Sequence, residues 1–139
     1  MKAFILAALL AATPALATEQ VSGPVTKVRD GDTFLVKGVP IRLNGIDAPE
    51  MRTQAGKAAR YAVERIIAGQ PLTCTLTGDR SYDRMVGTCY LPDGKDVGEE
   101  LIRQGYALDC PRYSKGRYRH AEPTSSRYKL TQSKYCNPR

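Results

Sequence analysis

Val25-Thr26-Lys27-Val28, Phe34-Leu35-Val36 and Val39-Pro40-Ile41-Arg42-Leu43 are three short runs of β-branched and apolar residues. Asp30-Gly31 and Lys37-Gly38 stand between them, and both dipeptides favour hairpin turns. The stretch reads as a meander of three strands. Beyond Pro49 the period changes. Ala59, Ala62, Val63, Ile66 and Ile67 recur at helical spacing between Lys57 and Ala68, and Gly69 with Pro71 ends that run. Strands return at Leu72 to Thr77 and Met85 to Leu91, around a polar loop from Gly78 to Arg84. Asp96 then stands as an N-cap with Glu99 at the capping-box position; Leu101 and Ile102 come next, and Gly105 stops the helix.

Three strands, a helix, two strands and a helix make a mainly β chain with helical additions. That order predicts a five-stranded Greek-key barrel of the oligonucleotide-binding type with two to three helices. In the remaining tail, Pro123 and the Ser/Thr group around it start a short helix near Arg127 to Leu130. At the other end, Lys2 and an apolar run from Ala3 to Ala12 precede Ala15-Leu16-Ala17, a small-x-small cleavage pattern. The run is too short to span a membrane and has no polar face, so 1–17 reads as a secretory signal peptide. Residues 18–111 are then expected to form the barrel domain, with 112–139 as a basic, tyrosine-rich tail packed on it. The expected location is periplasmic or secreted, with no membrane attachment in the mature form and a monomer as the default state.

Cys74, Cys89, Cys110 and Cys136 lie far apart without a Cys-x-x-Cys pair, which argues against a zinc site. In an exported chain two disulfides are the better reading, and the four cysteines allow three connectivities. Cys74 and Cys89 fall on consecutive antiparallel strands whose midpoint lies in the polar loop near Ser81 and Tyr82. A symmetric hairpin would set them opposite each other. The prediction is therefore Cys74 with Cys89, leaving Cys110 with Cys136 to tie the tail back after the second helix.

Charge is uneven. The chain carries 21 Lys and Arg against 14 Asp and Glu, a net charge of +7. Residues 112–139 alone hold eight bases and one acid, so the rest of the mature chain is close to neutral. Tyr113, Tyr118, Tyr128 and Tyr135 interleave with those bases. Cations meet phosphates and rings stack on bases, so such a segment suits a polyanion. Taken alone it is equally a solvated face that keeps the protein soluble.

Acids elsewhere decide between these. Asp30, Asp32, Asp47 and Glu50 flank Arg42 on two neighbouring segments. Carboxylates that close repel unless a cation lies between them, and oxygen ligands at turns suit a hard divalent ion such as calcium. An arginine beside such an ion suits a phosphate, whose oxygens its planar fork matches. Each residue singly has a plainer role: Asp30-Gly31 a hairpin turn, Asp47 a bend, Arg42 a solvent-facing strand charge, Arg84 a turn residue. Together, on an exported basic domain, they point to a metal-assisted phosphodiester site. His120 is the only histidine and sits in the tail. That composition excludes a paired-histidine ribonuclease and a histidine-metal nuclease, and leaves a carboxylate as the base.

Val28-Arg29-Asp30-Gly31-Asp32-Thr33, Arg42-Leu43 and Ile46-Asp47-Ala48-Pro49-Glu50 resemble the thermonuclease family typified by staphylococcal nuclease. Tyr82-Asp83-Arg84, Asp93-Gly94-Lys95 and Leu101-Ile102-Arg103-Gln104-Gly105 continue the resemblance in the same order, over roughly Val25 to Ala107. It implies that Asp32 and Asp47 supply calcium carboxylates and Ala48 a backbone carbonyl, with Asp30 a nearby acid. Glu50 would activate or orient the attacking water, and Arg42 and Arg84 would bind the phosphate. Tyr82 and Tyr113 would lie beside the nucleotide. The chain departs from the type protein at Ala48, where a threonine is usual, and at Asp83, where a glycine precedes the arginine. After Tyr106 two cysteines and a shorter basic tail replace the usual third helix.

The resemblance implies a secreted or periplasmic, calcium-dependent nuclease that hydrolyses DNA and RNA with little sequence specificity and leaves 3′-phosphates. Phosphate contacts carry no sequence information, which agrees with low specificity. The alternative is a non-catalytic nucleic-acid-binding module that keeps the bases without the acids. A disulfide-stapled domain for acidic polysaccharide would explain tail and cysteines, but not the acid cluster.

Overall fold

The three apolar runs at Val25–Leu43 form antiparallel strands in a computed structural model that describes residues 14–138. The signal-peptide reading falls mostly outside those residues. Strand β1 is Gln20–Gly23, β2 Val25–Asp30, β3 Thr33–Val36, β4 Val39–Leu43 and β5 Ile46–Asp47. Helix α1 (Gln54–Ile67) leads into β6 (Leu72–Ser81) and β7 (Arg84–Tyr90), then α2 (Val97–Arg103) and β8 (Leu108–Asp109). The tail carries single-turn helices α3 (Pro111–Ser114) and α4 (Ser126–Lys129), with 3-10 turns at Arg119–Ala121 and Lys134–Cys136.

The main sheet has six strands in the order β1-β6-β7-β4-β3-β2. The fold is mainly β, of the expected oligonucleotide-binding type, but β5 and β8 pair apart as a second, two-stranded sheet, and four α-helices stand among the described residues where two to three are expected. The sheet does not close: β1 and β2 remain its two edges. A sixth strand joins it because β1 pairs with β6, Val21 opposite Cys74. Its polar sequence gives no apolar run; Ser22 and Thr73 meet through their hydroxyls at 3.2 Å instead.

Cross-strand register sorts side chains to two faces, since opposite residues share a face and neighbours alternate. Phe34 stands opposite Ile41, and both are fully buried in the core. Thr33 stands opposite Arg42 on the other face. Strand β7 runs parallel to β4 with Arg42 beside Val86, so Arg84, two residues earlier, shares that face. Alternation thus gathers Thr33, Arg42 and Arg84 on one side of the sheet while their neighbours fill the core.

Helix α1 is capped by Thr53, whose side chain accepts from the Gly56 N–H, and ends at Ala68 in a left-handed conformation. Ala59, Ala62, Val63 and Ile67 are its buried face. Ala62, Val63 and Ile67 pack in one core with Phe34, Ile41, Leu43, Leu72, Leu101 and Ile102. The hairpin turn between β2 and β3 lies against this helix: a Cβ on Gly31 would come within 2.8 Å of the Ala59 Cβ. The residue that brings Asp32 to the helix must therefore be glycine.

Asp96 caps α2 through Oδ1, which accepts from the Gly98 and Glu99 N–H groups. Its Oδ2 accepts from the buried Tyr118 hydroxyl at 2.7 Å and from Arg117 at 3.1 Å, fixing the tail to the helix. Both predicted disulfides are present. Cys74 and Cys89 are directly opposite across β6 and β7, and Cys110 bridges Cys136. No described helix is long and apolar enough to cross a membrane.

Candidate active site

A cleft of about 810 Å³ opens over the face that carries Arg42 and Arg84. Asp30, Asp32, Ala48, Glu50, Tyr82 and Tyr113 also line it. Of the site residues expected from the sequence, only Asp47 is absent from its walls.

Asp32 is central. It occupies the β2–β3 turn, where its N–H donates to the Asp30 carboxylate at 3.1 Å. Arg42 Nη2 lies 3.2 Å from Asp32 Oδ2, and Arg84 Nη1 lies 3.9 Å from Oδ1. Burial pushes the Asp32 carboxyl up to about 6, Arg42 pulls it down and Asp30 adds to the rise. An acid this dry, with a second acid beside it, favours a cation nearby.

The two guanidinium groups are held differently. Arg42 donates through Nη1 to the Leu43 carbonyl at 2.7 Å and through Nη2 to the Tyr135 hydroxyl at 3.3 Å. Arg84 is aimed by its own hairpin: Nε donates to the Ser81 carbonyl at 3.0 Å and Nη2 to the Ser81 hydroxyl at 2.7 Å. Its Nη1 donates to Thr33 Oγ1 at 2.9 Å, the contact that strand register prepares. Tyr82, in a left-handed conformation at the hairpin tip, places its ring 5.7 Å from the Arg84 guanidinium carbon. Asp83 points elsewhere. Arg29 on β2 donates to it at 2.9 Å, which holds its carboxyl below the usual range and ties the hairpin tip to β2. The charge that replaces the expected glycine is thus paired with a neighbour other than Arg84.

Glu50 is exposed at the cleft wall, and no hydrogen-bond partner holds its carboxylate among the described residues. Its backbone is held tightly. The Thr53 N–H and hydroxyl both donate to the Glu50 carbonyl, at 2.9 and 2.7 Å. A loosely held carboxylate on a fixed backbone can meet a water in the cleft.

Asp47 lies at the end of β5, which pairs antiparallel with β8, and it is only 4% exposed. The tail covers it. Ser133 donates its N–H to Oδ2 at 2.7 Å and its hydroxyl to Oδ1 at 2.8 Å. The Tyr135 hydroxyl also donates to Oδ1, at 3.3 Å. A carboxylate accepts about four hydrogen bonds, so one position remains open. Burial and the Asp47 charge raise the Tyr135 hydroxyl above its usual range, keeping it a donor at neutral pH.

No cluster of three or more His, Cys, Asp or Glu side chains is gathered as a metal cage among the described residues. The donors on the cleft wall are oxygens, Asp32 with Asp30 beside it and Ala48; Asp47, off that wall, offers the acceptor position that its three hydrogen bonds leave open. Such a set fits one hard divalent cation better than a soft one.

Sequence patterns give no sign of Ser133, and they mark Tyr135 only as one of the rings interleaved with the tail's bases. What places both at Asp47 is the Cys110–Cys136 bridge, which returns the tail to β8 and so to β5. Arg80 and Asn44 also line the cleft, and no motif marks either of them.

A family model described as staphylococcal nuclease homologue matches residues 40–134. The succinoglycan biosynthesis protein ExoI of Rhizobium meliloti is 36% identical over 132 residues, covering 87% of this chain and 69% of that protein. An uncharacterized endonuclease of Escherichia coli O157:H7 is 37% identical over 98 residues, covering 68% of this chain and 64% of its own length. A probable staphylococcal-like nuclease, CAN1 of Oryza sativa, is 36% identical over 83 residues, and this chain spans 25% of it.

Proposed function

From its membership of the staphylococcal nuclease homologues, the family to which this chain belongs, we infer that it is a calcium-dependent nuclease cleaving phosphodiester bonds in DNA and RNA. Family membership supports nuclease activity on nucleic acid. The observation that carries the residue assignment is the placement of Arg42 and Arg84 on either side of Asp32, with Glu50 in the same cleft.

Asp32, Asp47 and the Ala48 carbonyl would hold the calcium. When bound, it supplies positive charge that stabilises the phosphate as negative charge builds on its oxygens. Arg42 and Arg84 bind the scissile phosphate and neutralise the five-coordinate phosphorus as it forms, a task suited to fixed donors in a partly dry cleft. Glu50 accepts a proton from the attacking water, whose oxygen bonds to phosphorus as the P–O5′ bond breaks; the 5′-oxygen leaves with that electron pair and takes a proton from solvent, giving a 5′-hydroxyl and a 3′-phosphate. Tyr82 and Tyr113, half to fully exposed at the rim, offer ring faces to a nucleotide. None of these contacts reads a base edge, so sequence preference is weak.

Two disulfides favour an oxidising compartment, the periplasm or the exterior. The test is release of acid-soluble nucleotides from DNA and from RNA, first with calcium and then with a chelator. Calcium-dependent release supports the reading. Tight binding without release would instead make the chain a binding module.

A further inference from the structure

We propose that Ser133 and Tyr135 are positioning residues of the active site: through them, the tail locked by Cys110–Cys136 sets the Asp47 carboxylate and couples it to Arg42. The inference rests on the reading of Asp47 as a calcium carboxylate.

The contacts single out one carboxylate. Ser133 grips both oxygens of Asp47 with backbone and side-chain donors from one residue. Hydrogen bonds to a charged acceptor are stronger and more directional than neutral ones, so this grip leaves little freedom about the Cβ–Cγ bond. Tyr135 does something further. Its hydroxyl accepts from Arg42 Nη2 and donates to Asp47 Oδ1, both at 3.3 Å. One hydroxyl therefore fixes the spacing between a phosphate-binding guanidinium and a metal-side carboxylate. The ring itself is 45% exposed and lines the cleft.

Covalent geometry makes this possible. Asp47 pairs with Leu108 across the β5–β8 ladder. Two residues later Cys110 bridges the fully buried Cys136, next to Tyr135. Backbone pairing, disulfide and hydrogen bond thus close a small ring around Asp47. Gln132 adds an independent tie by donating to the Asp109 carbonyl at 2.9 Å. The bridge and Gln132 already fasten the tail, so the three donors on Asp47 are additional to that fastening. Residues that hydrogen-bond a metal-binding carboxylate orient it, and their loss typically lowers metal affinity or activity about 10- to 100-fold.

The experiment measures calcium binding by calorimetry without nucleic acid, and separately kcat and KM on single-stranded DNA at saturating calcium. Ser133→Ala should weaken calcium binding about 10-fold, and Ser133→Thr, which keeps the hydroxyl, should restore it. Tyr135→Phe keeps the ring but removes the coupling hydroxyl, so kcat should fall about 10-fold with KM little changed. Near-UV circular dichroism of both variants should match the wild type. Asp47→Asn is the control for the underlying reading. If Asp47→Asn abolishes calcium binding while Ser133→Ala and Tyr135→Phe behave as wild type, the positioning role is overturned and the nuclease reading stands. If Asp47→Asn leaves calcium binding unchanged, the calcium assignment fails and the positioning role falls with it.

Discussion

Gly56 in the first turn of α1 lies against the backbone of Glu50: a Cβ at position 56 would sit 2.0 Å from the Glu50 carbonyl oxygen. The contact is backbone to backbone, so no side chain can swing away to relieve it. The helix therefore sets the height of the Glu50 loop above the cleft. Gly56→Ala should displace that loop, and a 1 Å error in a reacting group can cost about 10²-fold in rate. The same overpacking should lower stability by about 1–3 kcal/mol. Turnover at the wild-type rate in a variant with a lowered melting temperature would show that Glu50 tolerates the shift.

Glu50→Gln keeps the size of the side chain and removes the charge that takes a proton. Turnover should fall by about 10²–10⁴-fold while substrate still binds. Arg42→Lys and Arg84→Lys keep a charge but lose the planar fork, and removing such a stabilising donor costs a comparable ~10²–10³-fold. Arg84→Lys also loses the paired hydrogen bonds to Ser81 and Thr33 that aim the group. Rates on DNA in saturating calcium, with binding measured in chelator, are the check. Wild-type rates for both Glu50→Gln and Arg84→Lys would remove these residues from the chemistry.

Much of this site is legible in the sequence because alternation is strict. The turn at Lys37-Gly38 and the run from Val39 to Leu43 are enough to put Thr33 opposite Arg42, and the hairpin symmetry puts Cys74 opposite Cys89. Helix α1 begins at Gln54, earlier than the apolar spacing indicates, because Thr53 supplies its cap in a segment with no apolar periodicity. Strand β1 is invisible for a similar reason: Gln20 and Ser22 pair through polar side chains on an edge. Two-residue β5 and β8 are too short to show any period, yet they place Asp47 under the tail. That placement depends on contacts more than eighty residues apart in sequence, between Asp47 and Ser133. No local pattern encodes it.

Asp32 gives stability a definite dependence on pH in the metal-free protein. Its folded value of about 6 lies above the ordinary 3.8, chiefly through burial. Between those values the folded state holds the proton more tightly than the unfolded chain, so stability falls as pH rises from about 4 to about 6 and then levels. The shift corresponds to on the order of 3 kcal/mol at most. Urea unfolding in chelator across that range, compared with Asp32→Asn, isolates the contribution. The difference between the two proteins should track this curve, and a flat difference would mean that Asp32 is better solvated than its burial implies.

The tail's charges divide into two groups. Arg117 is bound to Asp96 and Tyr90 and serves the fold, so its loss should lower stability. Arg119, Lys129 and Lys134 make no ion pair among the described residues. Neutralising these three together should raise KM and flatten its salt dependence, by about 0.7 in the logarithmic slope for each single-strand phosphate that is no longer neutralised. The turnover number should not change. An unaltered salt slope would make these bases a solvated face.

The two disulfides should separate in their effects. Each closes a loop, with a sequence separation of 15 for Cys74 and Cys89 and 26 for Cys110 and Cys136. Replacing either pair by serine should cost about 3 kcal/mol of stability by freeing the unfolded chain. Only the second bridge anchors residues that touch Asp47 and Arg42. Cys74→Ser with Cys89→Ser should therefore lower the melting temperature and leave the calcium requirement intact below the melt. Cys110→Ser with Cys136→Ser should lower the melting temperature similarly and also raise the calcium concentration needed for half-maximal rate. Measuring both quantities on both variants at one temperature tests the difference. Equal calcium requirements in the two variants would mean that the bridge stabilises the tail without setting the site.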